Sequence, residues 1–119
     1  MAAPNVVNVT SILGSTDVQS IGTSASAITT CASNKVYKIN SLVVSNVDGT
    51  NDADVSVDLF RSSTAYYIAR TITVPADATL VVISKDMGIY LEEGDALRCL
   101  ASAAGDLQAI CSYEIIDDA

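Results

Sequence analysis

The stretch Asp54-Val55-Ser56-Val57-Asp58-Leu59 decides the fold class. Val55, Val57 and Leu59 alternate with Asp54, Ser56 and Asp58, a period of two that puts one face in a core and the other in water. A second alternation runs near the C-terminus. There Leu107, Ala109, Cys111, Tyr113 and Ile115 interleave with Gln108, Ser112 and Glu114, and Ile110 is an apolar exception on the outer phase. Residues 36–47 are apolar on both phases, as expected of a central strand or one carrying a bulge. Further strands are expected over 6–12, 27–31, 65–74, 78–84, 87–91 and 96–102. β-Branched residues dominate these runs, and no helical stripe competes with them.

The punctuation fits the same reading. Asn34-Lys35, Val74-Pro75-Ala76-Asp77 and Glu92-Glu93-Gly94-Asp95 carry turn chemistry. Asp48-Gly49-Thr50-Asn51-Asp52 reads as a turn of the hairpin kind, and so does Ala104-Gly105-Asp106. The latter hairpin would set Cys99 opposite Cys111, as a disulfide in an oxidising setting or as reduced neighbours in cytosol. Residues 14–26 are the least patterned and read as an exposed loop or a weak edge strand. The expectation is an all-β chain: a single antiparallel β-sandwich, jelly-roll-like, of about eight strands. It spans 1–119 as one domain, with residues 1–8 as an N-terminal arm.

Composition narrows function. The chain has 119 residues, 6 Lys+Arg against 14 Asp+Glu, a formal net charge of −8 and no histidine. Such an acidic surface repels phosphate, so neither nucleic acid nor an anionic membrane is an expected partner. Without histidine the Ser-His-Asp and Cys-His pairs and the His-type zinc sites are excluded. Half of the residues are apolar and the mean hydropathy is +0.38, and extra apolar surface on a small chain points to a partner. The first residues show neither a basic region nor an apolar core of a secretory signal, so synthesis in the cytoplasm is expected. Cys31, Cys99 and Cys111 lack CxxC spacing and read as buried thiols.

Two acidic groups are candidates for chemistry. Asp48, Asp52, Asp54 and Asp58 offer oxygens for calcium, but their spacing departs from the EF-hand pattern, and solvated turn acids are the simpler reading. Glu92, Glu93 and Asp95 would need a dry pocket to act as an acid/base pair, which a turn at a sandwich edge does not promise. No catalytic residue, metal ligand or cofactor site is expected, and the chain reads as no enzyme. Tyr66-Tyr67, with Phe60 and Arg61 just before, suit an interface, because Tyr and Arg are enriched at binding hot spots. Adjacent strand residues point to opposite faces, so one tyrosine is expected exposed where the other is buried.

Over residues 27–116 the ordered motifs resemble a group of small β-sandwich virion proteins of tailed phages, especially those of marine bacteria and cyanobacteria. The motifs are Lys35-Val36-Tyr37-Lys38-Ile39-Asn40-Ser41-Leu42-Val43-Val44-Ser45-Asn46, the strand 55–59, Thr73-Val74-Pro75-Ala76 and Thr79-Leu80-Val81-Val82-Ile83-Ser84-Lys85. Ile89-Tyr90-Leu91-Glu92-Glu93-Gly94-Asp95 and Cys111-Ser112-Tyr113-Glu114-Ile115 complete the series. The resemblance implies a structural component of the virion, foremost a capsid decoration or cement protein. Such a protein sits on the outer capsid surface, where its partners are the phage major capsid protein and its own copies, as a ring or trimer. A tail, neck or fibre component is the alternative, and a carbohydrate-binding sandwich a further one, disfavoured by the absence of tryptophan. Chain ends fray unless tied down, so the arm or the tail 115–119 is expected against a neighbouring chain. The expected contact residues are Val6, Val7, Phe60, Arg61, Tyr66, Tyr67 and Ile116.

Overall fold

A computed structural model describes residues 11–117. Nine strands follow in order: β1 (Ser11–Ser20), β2 (Ser26–Thr30), β3 (Lys35–Asn46), β4 (Ala53–Arg61), β5 (Thr64–Val74), β6 (Thr79–Ile83), β7 (Ile89–Leu91), β8 (Ala96–Ala101) and β9 (Leu107–Asp117). They form two antiparallel sheets. One has the order β1-β9-β3-β6, with β7 also on β3, and the other has the order β2-β8-β4-β5.

The pairing follows one rule. β1 pairs with β9, β2 with β8, β3 with β6 and β7, and β4 with β5. Along this series the numbers of facing residues add to between 124 and 128, from Ser11 with Asp117 to Arg61 with Thr64. The chain is therefore one long hairpin whose tip lies at Ser62-Ser63. Rolling that ribbon brings β9 beside β3 and β8 beside β4, and the result is the jelly-roll arrangement. β6 and β7 are two halves of one edge strand, on Leu42–Ser45 and Tyr37–Ile39 of β3, separated by a 3₁₀ turn over Lys85–Met87. Counted as one, they give the eight strands that the alternation suggested.

Two expected hairpins are corrected. The turn after Asn46 leads from β3 to β4, which lie in opposite sheets, and the turn at Ala104-Gly105-Asp106 leads from β8 to β9, also in opposite sheets. Both are crossings over one end of the sandwich. Cys99 thus faces Ser26 and Val57 within its sheet, while Cys111 faces Asp17 and Leu42, so the two cysteines are not cross-strand partners. The tight hairpin is instead Ser62-Ser63, where both residues hold left-handed φ of 53° and 63°. That is the geometry a two-residue turn needs to match strand twist, reached here without glycine or asparagine. Of the expected strand 6–12, residues 6–10 lie outside the described residues; residues 14–20 belong to an edge strand.

The inward phases of both sheets build one core. Ile39, Leu42, Val44, Val55, Val57, Leu97, Leu107 and Cys111 are essentially inaccessible to water. Asn46 organises the crossing after β3 from a buried position. Its Nδ2 donates to the carbonyls of Asn51 and Val74, both at 2.9 Å, and its Oδ1 accepts from the Asp48 amide at 2.9 Å. A buried amide is tolerated because its polar atoms find partners. On β5 two register shifts opposite β4 accompany Thr71 at φ 53°, a β-branched residue in the left-handed region whose amide donates to Ser56 Oγ.

Candidate interaction surface

The acidic groups resolve into structural pairs. Arg61, at the end of β4, donates through Nε to Asp95 Oδ1 at 2.8 Å, and through Nη2 to both Asp95 and Glu92. Asp95 is buried and also accepts from the Glu92 amide at 2.9 Å. The Arg61 guanidinium and this amide hold its carboxyl below the usual carboxylate range, against the opposing effect of burial. The Glu93 carboxylate accepts from the Asn34 amide. These acids tie the β7–β8 turn to the hairpin tip and to the β2–β3 crossing. Asp48 caps its own turn, accepting from the amides of Thr50 and Asn51, which lower its pKa. Asp58 is buried on the outer phase of β4, where Arg98 makes a two-pronged ion pair at 2.9 and 3.2 Å and stacks 3.9 Å from the Phe60 ring centroid. Among the described residues no group of His, Cys, Asp and Glu is arranged to hold a metal ion, and no helix is long and apolar enough to cross a membrane.

The anticipated contact residues separate. Phe60 lies under Arg98, and Arg61 is the clamp on Asp95. Tyr66 and Tyr67 are both exposed, 58% and 49%, and neither is buried in the core. Their strand is the outermost of its sheet, and Tyr66, opposite Leu59 on the inward phase, stays exposed near the hairpin end. Arg70 lies 4.8 Å from the Tyr67 ring centroid. Ile116 is 5% exposed, buried within the chain beside Val36 and Ile12 of the flanking strands. Val6 and Val7 lie outside the described residues.

A different surface emerges on the outer face of the β1-β9-β3-β6 sheet. Val18, Ile110, Val43 and Val81 face one another in register across four strands. Val18 is 73% exposed, Val81 57% and Ile110 44%. The row on one side is Ser20, Gln108, Ser45 and Thr79, and the row on the other is Thr16, Ser112 and Ser41. Thr16 and Ser45 are hydrogen-bonded across strands to Ser112 and Thr79 at 3.2 Å. None of these residues is charged; the first ion pair on this face is Lys38 with Glu114, at 3.9 Å. The acids Asp48, Asp52, Asp77, Asp106, Glu92 and Glu93 sit instead in the turns. A contiguous apolar row with an uncharged rim is the kind of surface that interaction sites use. In the sequence its signals were the out-of-phase Ile110 and the doubly apolar run holding Val43, but the row exists only once the strands are in register.

The three cysteines are free and buried. Burial pushes the Cys31 thiol up to about 11 and those of Cys99 and Cys111 up to about 12.

No family model matches the sequence, and no curated protein matches it. Among solved structures the chain is similar to one from the Bacillus endospore appendages, which form a novel family of disulfide-linked pili. The TM-score is 0.54 and the identity 17%, over 91% of this chain and 89% of that chain. At that identity the likeness is one of fold.

Proposed function

We propose that this protein is a structural subunit of a tailed-phage particle, a decoration protein that binds the assembled major capsid lattice and stabilises it. The observation that carries the reading is the uncharged apolar row Val18–Ile110–Val43–Val81 on one sheet face, with the acids gathered in the turns. The motif series over 27–116 supplies the kind of particle. Four strands about 4.8 Å apart and three rows about 7 Å apart cover roughly 400 Å². A stable pairwise interface needs about 800 Å² per partner, so one such face alone holds weakly. A repeated shell removes that weakness, since several linked contacts multiply modest affinities. Binding to the assembled lattice and not to free subunits stabilises the lattice by mass action.

A tail, neck or fibre subunit is the second reading. The likeness to a chain from pili favours it, because it puts this fold in a filament. Covalent linkage through this chain's own described cysteines is disfavoured by their burial.

Co-sedimentation of the protein with purified shells lacking it is the test, using wild type, Ile110→Asp and Val81→Asp. Wild type saturates the shells at a copy number in the hundreds, and each variant loses at least tenfold in occupancy while keeping its thermal melt. Equal occupancy of all three proteins overturns the reading. Equal survival of bare and decorated shells on heating or osmotic shock refutes stabilisation.

A further inference from the structure

The four sheet edges are not alike. β2 is five residues long and carries a register shift. β5 carries two register shifts and Arg70. The edge formed by β6 and β7 is interrupted by the 3₁₀ turn. These are devices that stop an edge from recruiting another strand. β1 is neither short, shifted in register nor interrupted. It runs ten residues, Ser11–Ser20, in unbroken register on β9, without proline, lysine or arginine, and among the described residues no strand pairs with its other side. Ile12, Leu13 and Val18 on it are all more than half exposed. Its one charge, Asp17, points to the inward phase and accepts from Tyr113 Oη at 2.8 Å.

We propose that β1 is a self-association edge, on which the β1 strand of a second copy pairs antiparallel about a two-fold axis through Ser15. The register follows from the side chains. For the outer faces of the two sheets to be continuous, even-numbered residues must face even-numbered ones. With Ser15 on the axis, Ile12 faces Val18 of the second copy, and Val18 faces its Ile12. Asp17 then faces Leu13, and the two Asp17 carboxylates stand four residues apart, about 13 Å, beyond the Debye length at physiological salt. With Thr16 on the axis the carboxylates are about 7 Å apart and Val18 faces Gly14, which loses the apolar pair and adds repulsion.

The Ser15 register has a consequence for the outer face. Ile12 is in register with Ile116 and Val36. The row Val81–Val43–Ile110–Val18 therefore continues onto the exposed Ile12 of the second copy, beside its buried Ile116, and two such rows lie on the joined eight-stranded sheet. The pairing sets two uncharged faces on one sheet, each beside the other copy's Lys38–Glu114 ion pair, with two-fold symmetry in place of the trimer expected from shell geometry. The strand-to-strand contact over residues 11–19 is about 31 Å long and about 10 Å deep, roughly 310 Å² per partner, so the dimer is a weak one.

Sedimentation velocity of the full chain, from about 10 μM to 1 mM, tests this on the dimer range of weak interfaces. Wild type shifts from monomer to dimer across the range. Val18→Lys, at an exposed site, weakens the dimer at least tenfold, while Val47→Lys, an exposed valine away from β1, changes it less than twofold. Ser15→Cys under mild oxidation gives a disulfide-linked dimer on a non-reducing gel, and Ser41→Cys, on the middle strand, gives none. A monomer at 1 mM, equal weakening by both lysine variants, or crosslinking by Ser41→Cys alone overturns the proposal. Shell binding plays no part in these readouts, so failure here and failure of the decoration reading are separate results.

Discussion

Replacing Asp95 by asparagine removes one charge from the Arg61 clamp and leaves its shape. Asp95 is 2% exposed and accepts three hydrogen bonds, two from the Arg61 guanidinium and one from the Glu92 amide. An asparagine presents an NH₂ group to a guanidinium that is all donor, so at least one charge-assisted bond is lost. Bonds of that type contribute about 1.5–3 kcal/mol each. The Arg61 side chain is 43% exposed and recovers water when released, which places the expected loss near the lower end, about 2 kcal/mol. For a domain of this size that lowers Tm by about 8 °C. The pH dependence has a fixed sign. The folded-state pKa of Asp95 lies below its unfolded value, so its contribution is fully present above about pH 4 and is lost as pH falls through the folded value. Urea unfolding of wild type and Asp95→Asn at pH 7 shows the full difference, and the difference narrows on acidification from about pH 4 to pH 2. Equal stabilities at pH 7, or a gap that stays constant into acid, would refute the clamp.

Two further outcomes follow from the backbone and the thiols. Ser62→Asn with Ser63→Gly suits the left-handed φ values of the hairpin tip and raises stability by about 1 kcal/mol, read as a higher urea midpoint at unchanged slope; a lower midpoint contradicts the turn geometry. The three buried thiols react with a disulfide reagent at pH 8 at least a hundredfold more slowly in native protein than in denaturant, because burial holds them at about 11 to 12; labelling of any one within minutes contradicts the packing.

The strands were legible because their signal is local. The alternation over 54–59 needs only neighbouring residues to state which face is inward, and the double apolar phase of 36–47 likewise marked β3 with its bulge between Ile39 and Ser41. Which strands a turn connects is not local. Asp48-Gly49 and Ala104-Gly105-Asp106 have the chemistry of tight turns, yet both cross between sheets, because β3 pairs with β6, β7 and β9, and β9 with β1 and β3, which leaves the next strand in sequence to the other sheet. The true hairpin was hidden because Ser62 and Ser63 reach left-handed φ without the residues that advertise it. The apolar row was illegible for the same reason as the crossings. Val18, Val43, Val81 and Ile110 come from four distant stretches, and only the register assembles them. Val18 lay in the stretch with least pattern, since the half-buried phase of this edge strand, Ser15, Asp17 and Gln19, is polar.

On the proposed function the row Val18–Ile110–Val43–Val81 is the face turned toward a shell. Electron cryo-microscopy of intact particles carrying the protein tests it most directly. The expected result is copies spread over the capsid with that row against the major capsid protein and the acidic turns at Asp48 and Asp106 directed away from it. Copies confined to the tail, or copies on the shell with the row facing solvent, would contradict it.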